Sequence, residues 1–153
     1  MQVEAHLEKF ECFETCRRQF DPIEDFELWY WSLLSAGTAL INGALHANGF
    51  TRAEDAFATQ VPDVYAIPDT TGWHHEIRFL SDLIHVGLPA LDVELPPSLQ
   101  VAFHEMEIIE RYRDPWVRGD QPITAEVVTT VTSAFDRCIA ATRQALNETG
   151  VAP

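Results

Sequence analysis

The stretch from Leu28 to Thr51 contains no Asp, Glu, Lys or Arg, in a chain whose formal net charge is −14. An uncharged run this long is either a membrane span or the central helix of a bundle. A span needs roughly 20 predominantly apolar residues. Here the run is interrupted by Ser32, Ser35, Thr38, Asn42, His46 and Asn48. Its flanks carry the punctuation of a helix in water. Asp21-Pro22-Ile23-Glu24 supplies an N-cap, a first-turn proline and a capping-box glutamate, and Asn48-Gly49 supplies a stop. The run therefore reads as a buried helix over residues 22–48. Its small residues, Ser35, Ala36, Gly37, Ala39, Gly43, Ala44 and Ala47, let neighbouring backbones come close. Two uses fit that stripe: tight packing inside the monomer, or the seam of a homodimer.

A length of 153 residues suits a single domain, residues 1–153, with a sizeable core. The acidic balance argues against DNA and against anionic membranes, both of which are met with Lys and Arg. RNA or a nucleotide receives no support from charge either. Three cysteines cannot form a closed set of disulfides, and Cys12 and Cys16 are spaced as neither a zinc knuckle nor a redox pair. Free thiols in a reducing cytoplasm are expected. The start, Met1-Gln2-Val3-Glu4, lacks the basic and apolar regions of a signal peptide.

Apolar periodicity organises the rest. Val3, Leu7, Phe10, Phe13, Cys16 and Phe20 recur at helical spacing and predict a helix over 2–20. Thr51-Arg52-Ala53-Glu54 is a capping box that opens a short helix over 51–59, followed by a loop over 60–71 containing Pro62 and Pro68. Trp73, Ile77, Leu80 and Ile84 make the stripe of a third long helix over 72–86, and 88–97 is an extended connector. Leu99, Phe103, Met106 and Ile109 mark a helix over 98–112, stopped by Asp114-Pro115. Thr124 caps a last helix over 125–148, with Val128, Val131, Phe135, Cys138, Thr142 and Ala145 inward. Val127 to Thr132 has strand-like propensity, which the continuous helical pattern overrides. The fold class expected is all-α: an antiparallel bundle of four long helices plus one short helix. Trp31, Leu34, Leu40, Leu80, Phe103 and Phe135 are expected in the core.

Few residues suggest chemistry. His75, Arg78, Asp82 and His85 fall on one strip of the expected third helix, as a binding set for an anion, a metal or a ribose phosphate, or as a solvated face with an Arg78–Asp82 pair. Arg111, Arg113 and Arg118 are close in sequence and form a possible anion-binding patch. Histidines 46, 74, 75, 85 and 104 come from three expected helices, and His104 with Glu107 is a His-x-x-Glu pair. No set has a known metal spacing, so neither a metal nor another cofactor is expected. No serine sits in a glycine elbow, and Arg118-Gly119-Asp120 reads as a turn.

The order of elements resembles a HEPN-type helical domain. The resemblance lies in the aromatic and small-residue second helix from Tyr30 to Phe50, and in Glu110-Arg111-Tyr112-Arg113-Asp114-Pro115 ending a later helix. The polar loop before the capped, alanine-rich last helix also matches, and the similarity covers most of 2–148. Active ribonucleases of that group carry an Arg and a His with four to six residues between them, act with a partner subunit and generally use no metal. Arg78 and His85 are the match here, with Phe79 where a polar residue is usual and no histidine between Arg111 and Arg118. Without the full motif, the resemblance implies a non-catalytic module that dimerises and binds a protein partner or nucleotide. The first alternative is a metal-independent ribonuclease, with Arg78 stabilising phosphate and His85 as acid or base. The second alternative is a metal-binding bundle.

Overall fold

The computed structural model describes residues 1–52, 56–59, 61, 64–77 and 93–150. The first helix, α1, spans Val3–Arg17. The uncharged run follows as α2, Phe26–Ala47, with sixteen of its 22 residues buried. A helix apolar on all sides is a core helix, and α1 packs along it. No helix among the described residues is long and apolar enough to cross a membrane. Asp21 does cap, but one turn early. Its Oδ1 accepts from the amides of Ile23 at 2.9 Å and Glu24 at 3.0 Å, closing a separate turn before α2. Those two bonds, Glu24 first, hold its carboxyl below the ordinary range.

The small residues of α2 are used inside the chain. A Cβ on Gly37 would lie 2.6 Å from Met106 Sδ, and one on Gly43 would lie 3.3 Å from the Cβ of His6. Gly37 therefore admits Met106, on a later helix, and Gly43 admits α1. This intrachain packing removes the stripe as a motive for a dimer seam on α2.

The expectation of an all-α bundle of four long helices and a short one is overturned. After α2 come β1 (Phe57–Ala58), β2 (Val64–Asp69) and β3 (Gly72–Ile77), a three-stranded antiparallel sheet in the order β1-β2-β3. Strand β1 lies within the stretch where the short helix was expected, β2 lies within the expected loop over 60–71, and β3 takes the start of the expected helix over 72–86, whose remainder lies outside the described residues. Trp73 and Ile77 misled because a spacing of four keeps one face in a helix and in a strand alike. The decisive local signal is the turn. Asp69 pairs with Gly72 across Thr70-Thr71, and Asp69 Oδ1 accepts from Thr71 N at 2.6 Å and Thr71 Oγ1 at 2.7 Å. Gly72, at φ +134°, takes a backbone conformation that L side chains rarely adopt. Of the expected capping box, Thr51 bonds His46, and Glu54 lies outside the described residues.

Helix α3 runs Pro97–Glu110 with proline in its first turn. Asp114-Pro115 does not end the structure there. A wide π-helical turn covers Arg113–Arg118, its Trp116 stacked 4.8 Å from Tyr112 and donating to Pro122 O at 3.2 Å. Helix α4, Ala125–Glu148, begins and ends where the sequence predicts. Thr124 Oγ1 accepts from Val127 N, and Thr142 Oγ1 donates to Cys138 O at 2.8 Å. Thr129 and Thr130 donate likewise to carbonyls four residues back, so the strand-like segment satisfies its hydroxyls within the helix.

Helix α4 packs on α3 and on α2. Leu34, Leu40, Phe103 and Phe135 are in the core as expected, while Trp31 is only half-buried. Val128, expected inward, is half-buried, and Val127 is buried instead. Leu80 lies outside the described residues. Tyr30 crosses the core to donate to Ile109 O at 2.9 Å, and burial pushes its phenol well above the ordinary range.

Candidate functional site

Those residues singled out from sequence that the structure describes do not assemble into one site. Arg78, Asp82 and His85 lie outside the described residues. His75 stands exposed on β3, on a strand rather than a helix. Each arginine of the expected anion patch is held by carboxylates. Arg111 meets Glu107 at 3.1 Å, Arg113 meets Glu110 at 2.8 Å and Asp114 at 3.1 Å, and Arg118 meets Asp114 at 3.2 Å. The arginines that cluster in sequence thus form a neutralised surface network that solvent screens.

The described histidines form no common cluster either. His104 is exposed on α3. His74 bonds Asp69 Oδ2 through Nδ1 at 3.0 Å. His46 is buried, with its ring 5.0 Å from that of His6 and its Nδ1 2.6 Å from Thr51 Oγ1. Among the described residues, no group of three or more His, Cys, Asp or Glu side chains is placed to hold a metal. Cys12 is exposed, Cys16 is part-buried 3.9 Å from Ser32 Oγ, and Cys138 is buried. Burial pushes the Cys138 thiol up to about 12, which makes it a poor nucleophile.

One concavity among the described residues was not foreseen. Helices α1 and α4 both rest on α2, and an open groove runs between them. One end, about 420 Å³, is lined by Leu7, Phe10 and Leu40 with Glu8 at its rim. The other, about 310 Å³, is lined by Glu14, Arg17, Arg18, Asp136 and Ile139. Phe10, Glu11 and Arg143 line both ends.

The charges in this groove are built in. Glu14 is 5% exposed. Arg17 grips it with Nε at 2.6 Å and Nη2 at 3.0 Å, and Arg18 approaches to 3.5 Å. The Arg17 guanidinium lies 5.3 Å from the centre of the Phe135 ring, and Arg143 lies 5.7 Å from that of Phe10. Such cation–π contacts hold the cations over apolar surface. Arg143 also reaches Glu11 across the groove at 3.9 Å.

The sequence reading missed the site because it placed the inward stripe of α1 along Leu7, Phe10 and Phe13. The buried line is His6, Phe10 and Glu14, one helical step around. A glutamate in phase with Phe10, with arginines three and four residues on, was the available signal. An apolar floor beside a few convergent charges is the form a ligand or partner groove takes. No family model, curated protein or solved structure matches this chain.

Proposed function

We propose that this protein is a non-catalytic helical interaction module whose α1–α4 groove receives an amphipathic helix of a protein partner. The observation that carries the reading is the groove itself: Leu7, Phe10 and Leu40 along its floor, ion-paired Glu14–Arg17 and Glu11–Arg143 beside them. A helix laid between two helices buries its apolar face on such a floor and meets charges of both signs at the rim. A nucleotide is less suited, because the groove arginines are already neutralised. The HEPN-type resemblance supports a module of this kind, and a homodimer belongs to the same reading, with its seam away from α2.

The test is reconstitution. A protein retained by the immobilised chain is purified and its affinity measured by calorimetry against Leu7→Glu, Arg143→Glu and a remote surface variant, Glu107→Gln. The groove variants should weaken binding by roughly tenfold or more, about 1.4 kcal/mol, and the remote one should not. Equal affinities across all three would defeat the groove. The ribonuclease reading, with Arg78 and His85, is checked with the same preparation. RNA should remain intact, and degradation lost in His85→Ala would overturn the non-catalytic reading.

A further inference from the structure

Three large apolar side chains stand exposed on the sheet: Phe57 at 44%, Trp73 at 59% and Ile77 at 68%. The pairing decides which backbone groups stand with them. Val64 O accepts from Thr59 N at 3.1 Å, so the backbone of Val64 turns toward β1. Alternation along an antiparallel strand then turns Tyr65, Ile67 and Asp69 toward β3, where they face Glu76, His74 and Gly72. The N–H and C=O groups of Trp73, His75 and Ile77 consequently point to the outer edge of β3. Among the described residues no strand pairs with that edge, and all six residues of β3 are exposed. Such an edge is a template for another strand.

We propose that β3 is the seam of a homodimer, two copies pairing their β3 edges antiparallel about a two-fold axis through His75. This deepens the reading of a dimerising module, and its failure would leave the groove untouched. The side chains choose the register. With the axis at His75, Trp73 lies opposite Ile77 of the partner subunit and His74 lies opposite Glu76 of the partner subunit, each twice by symmetry. The first pairing is apolar and extends the Phe57–Trp73 edge-to-face contact, with centroids 5.3 Å apart. The second sets an imidazole against a carboxylate at a non-hydrogen-bonded position, where opposed Cα atoms are about 4.5 Å apart and side chains touch.

Neighbouring registers lose the imidazole–carboxylate pairing. An axis at Glu76 opposes two carboxylates, and an axis at His74 leaves Glu76 against Gly72, whereas the axis at His75 opposes two imidazoles on the other face and keeps both His74–Glu76 pairings. His74 is already set for the favoured register. Its Nδ1 is held by Asp69 at 3.0 Å, and its Nε2 sits 3.8 Å from its own Glu76, on the face where the partner's Glu76 arrives. Pairing also satisfies roughly six edge backbone groups at each copy's outward positions.

Sedimentation equilibrium of the full chain tests this. The 17.3 kDa chain should give twice its own mass. His75→Pro removes an N–H that faces only the outer edge, so it should give a monomer with an unchanged circular dichroism spectrum. In a Cys12→Ser background, His75→Cys should oxidise to a covalent dimer, because the two copies of position 75 face each other on the axis, and Glu76→Cys should not. If His75→Pro fails to fold, Glu76→Lys replaces it. It sets a cation against His74 and should weaken the dimer roughly tenfold. A wild-type monomer at all concentrations, a dimer that survives these variants, or equal crosslinking at positions 75 and 76 would each overturn the proposal.

Discussion

The helical body and the three-stranded sheet are held by different physics. In the body, Leu33, Ala36, Leu45, Met106, Val131 and Phe135 are fully enclosed, and the backbone bonds are local to each helix. Among the described residues of the sheet, Tyr65 is enclosed, at 1% exposed, while every residue of β3 is open to solvent. The sheet is held by ladder bonds between strands and by a side-chain-closed turn at Asp69. Buried area therefore sets the stability of the body, and the sheet is free to present Phe57, Trp73 and Ile77 outward. A region that buries little has surface to offer a partner.

That contrast can be broken most directly at Phe135. It is fully buried, so Phe135→Ala should destabilise the protein by about 3–5 kcal/mol in urea unfolding. A loss below about 1 kcal/mol would mean that the body is not the packed half. Gly119 comes next. A Cβ there would sit 2.5 Å from the carbonyl oxygen of Pro115, which is backbone and cannot swing away. Gly119→Ala should therefore cost about 1–3 kcal/mol by the same measurement, and a neutral result would show that the π-turn yields easily.

On the sheet, Trp73→Ala should cost no more than about 1.5 kcal/mol, the scale of its edge-to-face contact with Phe57. Its larger effect should appear in sedimentation, as a weakened dimer. A stability loss comparable with that of Phe135→Ala would erase the distinction between the two regions.

The smallest expected effect is at Asp21, whose carboxyl is held below its ordinary value of 3.8 by the amides of Glu24 and Ile23. A depressed carboxylate adds stability that is present above that ordinary value and is lost as pH falls through the lowered one. Asp21→Asn does not titrate. Its stability deficit against the wild type should be visible at pH 6 and shrink once the pH drops below 3.8. A deficit independent of pH would assign the effect to hydrogen-bond geometry and not to charge.

The four helices were legible because their signals are local and redundant. Thr124 caps α4, apolar periodicity runs on to Leu146, and even Val127 to Thr132 could not turn it into a strand. The sheet was not legible from Trp73 and Ile77, whose spacing fits either period, and the Asp69-Thr70-Thr71-Gly72 turn that settles the matter is short. The site was less legible still. Arg111, Arg113 and Arg118 cluster in sequence yet are neutralised by Glu107, Glu110 and Asp114. Arg17 and Arg143 are far apart in sequence and line one groove.

The sequence alone determined that the uncharged run beginning at Leu28 enters a core helix, because a long run without charge, broken by polar residues and ended by Asn48-Gly49, has no better environment. It also determined the extent of α4, whose cap and periodicity need no other element. Tertiary structure decided the rest. Whether Gly37 and Gly43 serve a dimer or the monomer depends on what reaches them, and Met106 and His6 do. Whether Glu14 is a surface charge or part of a groove depends on Phe135 and Arg143 arriving from α4 beside α1. Local sequence specifies the period and ends of an element, but burial and charge pairing are properties of its neighbours.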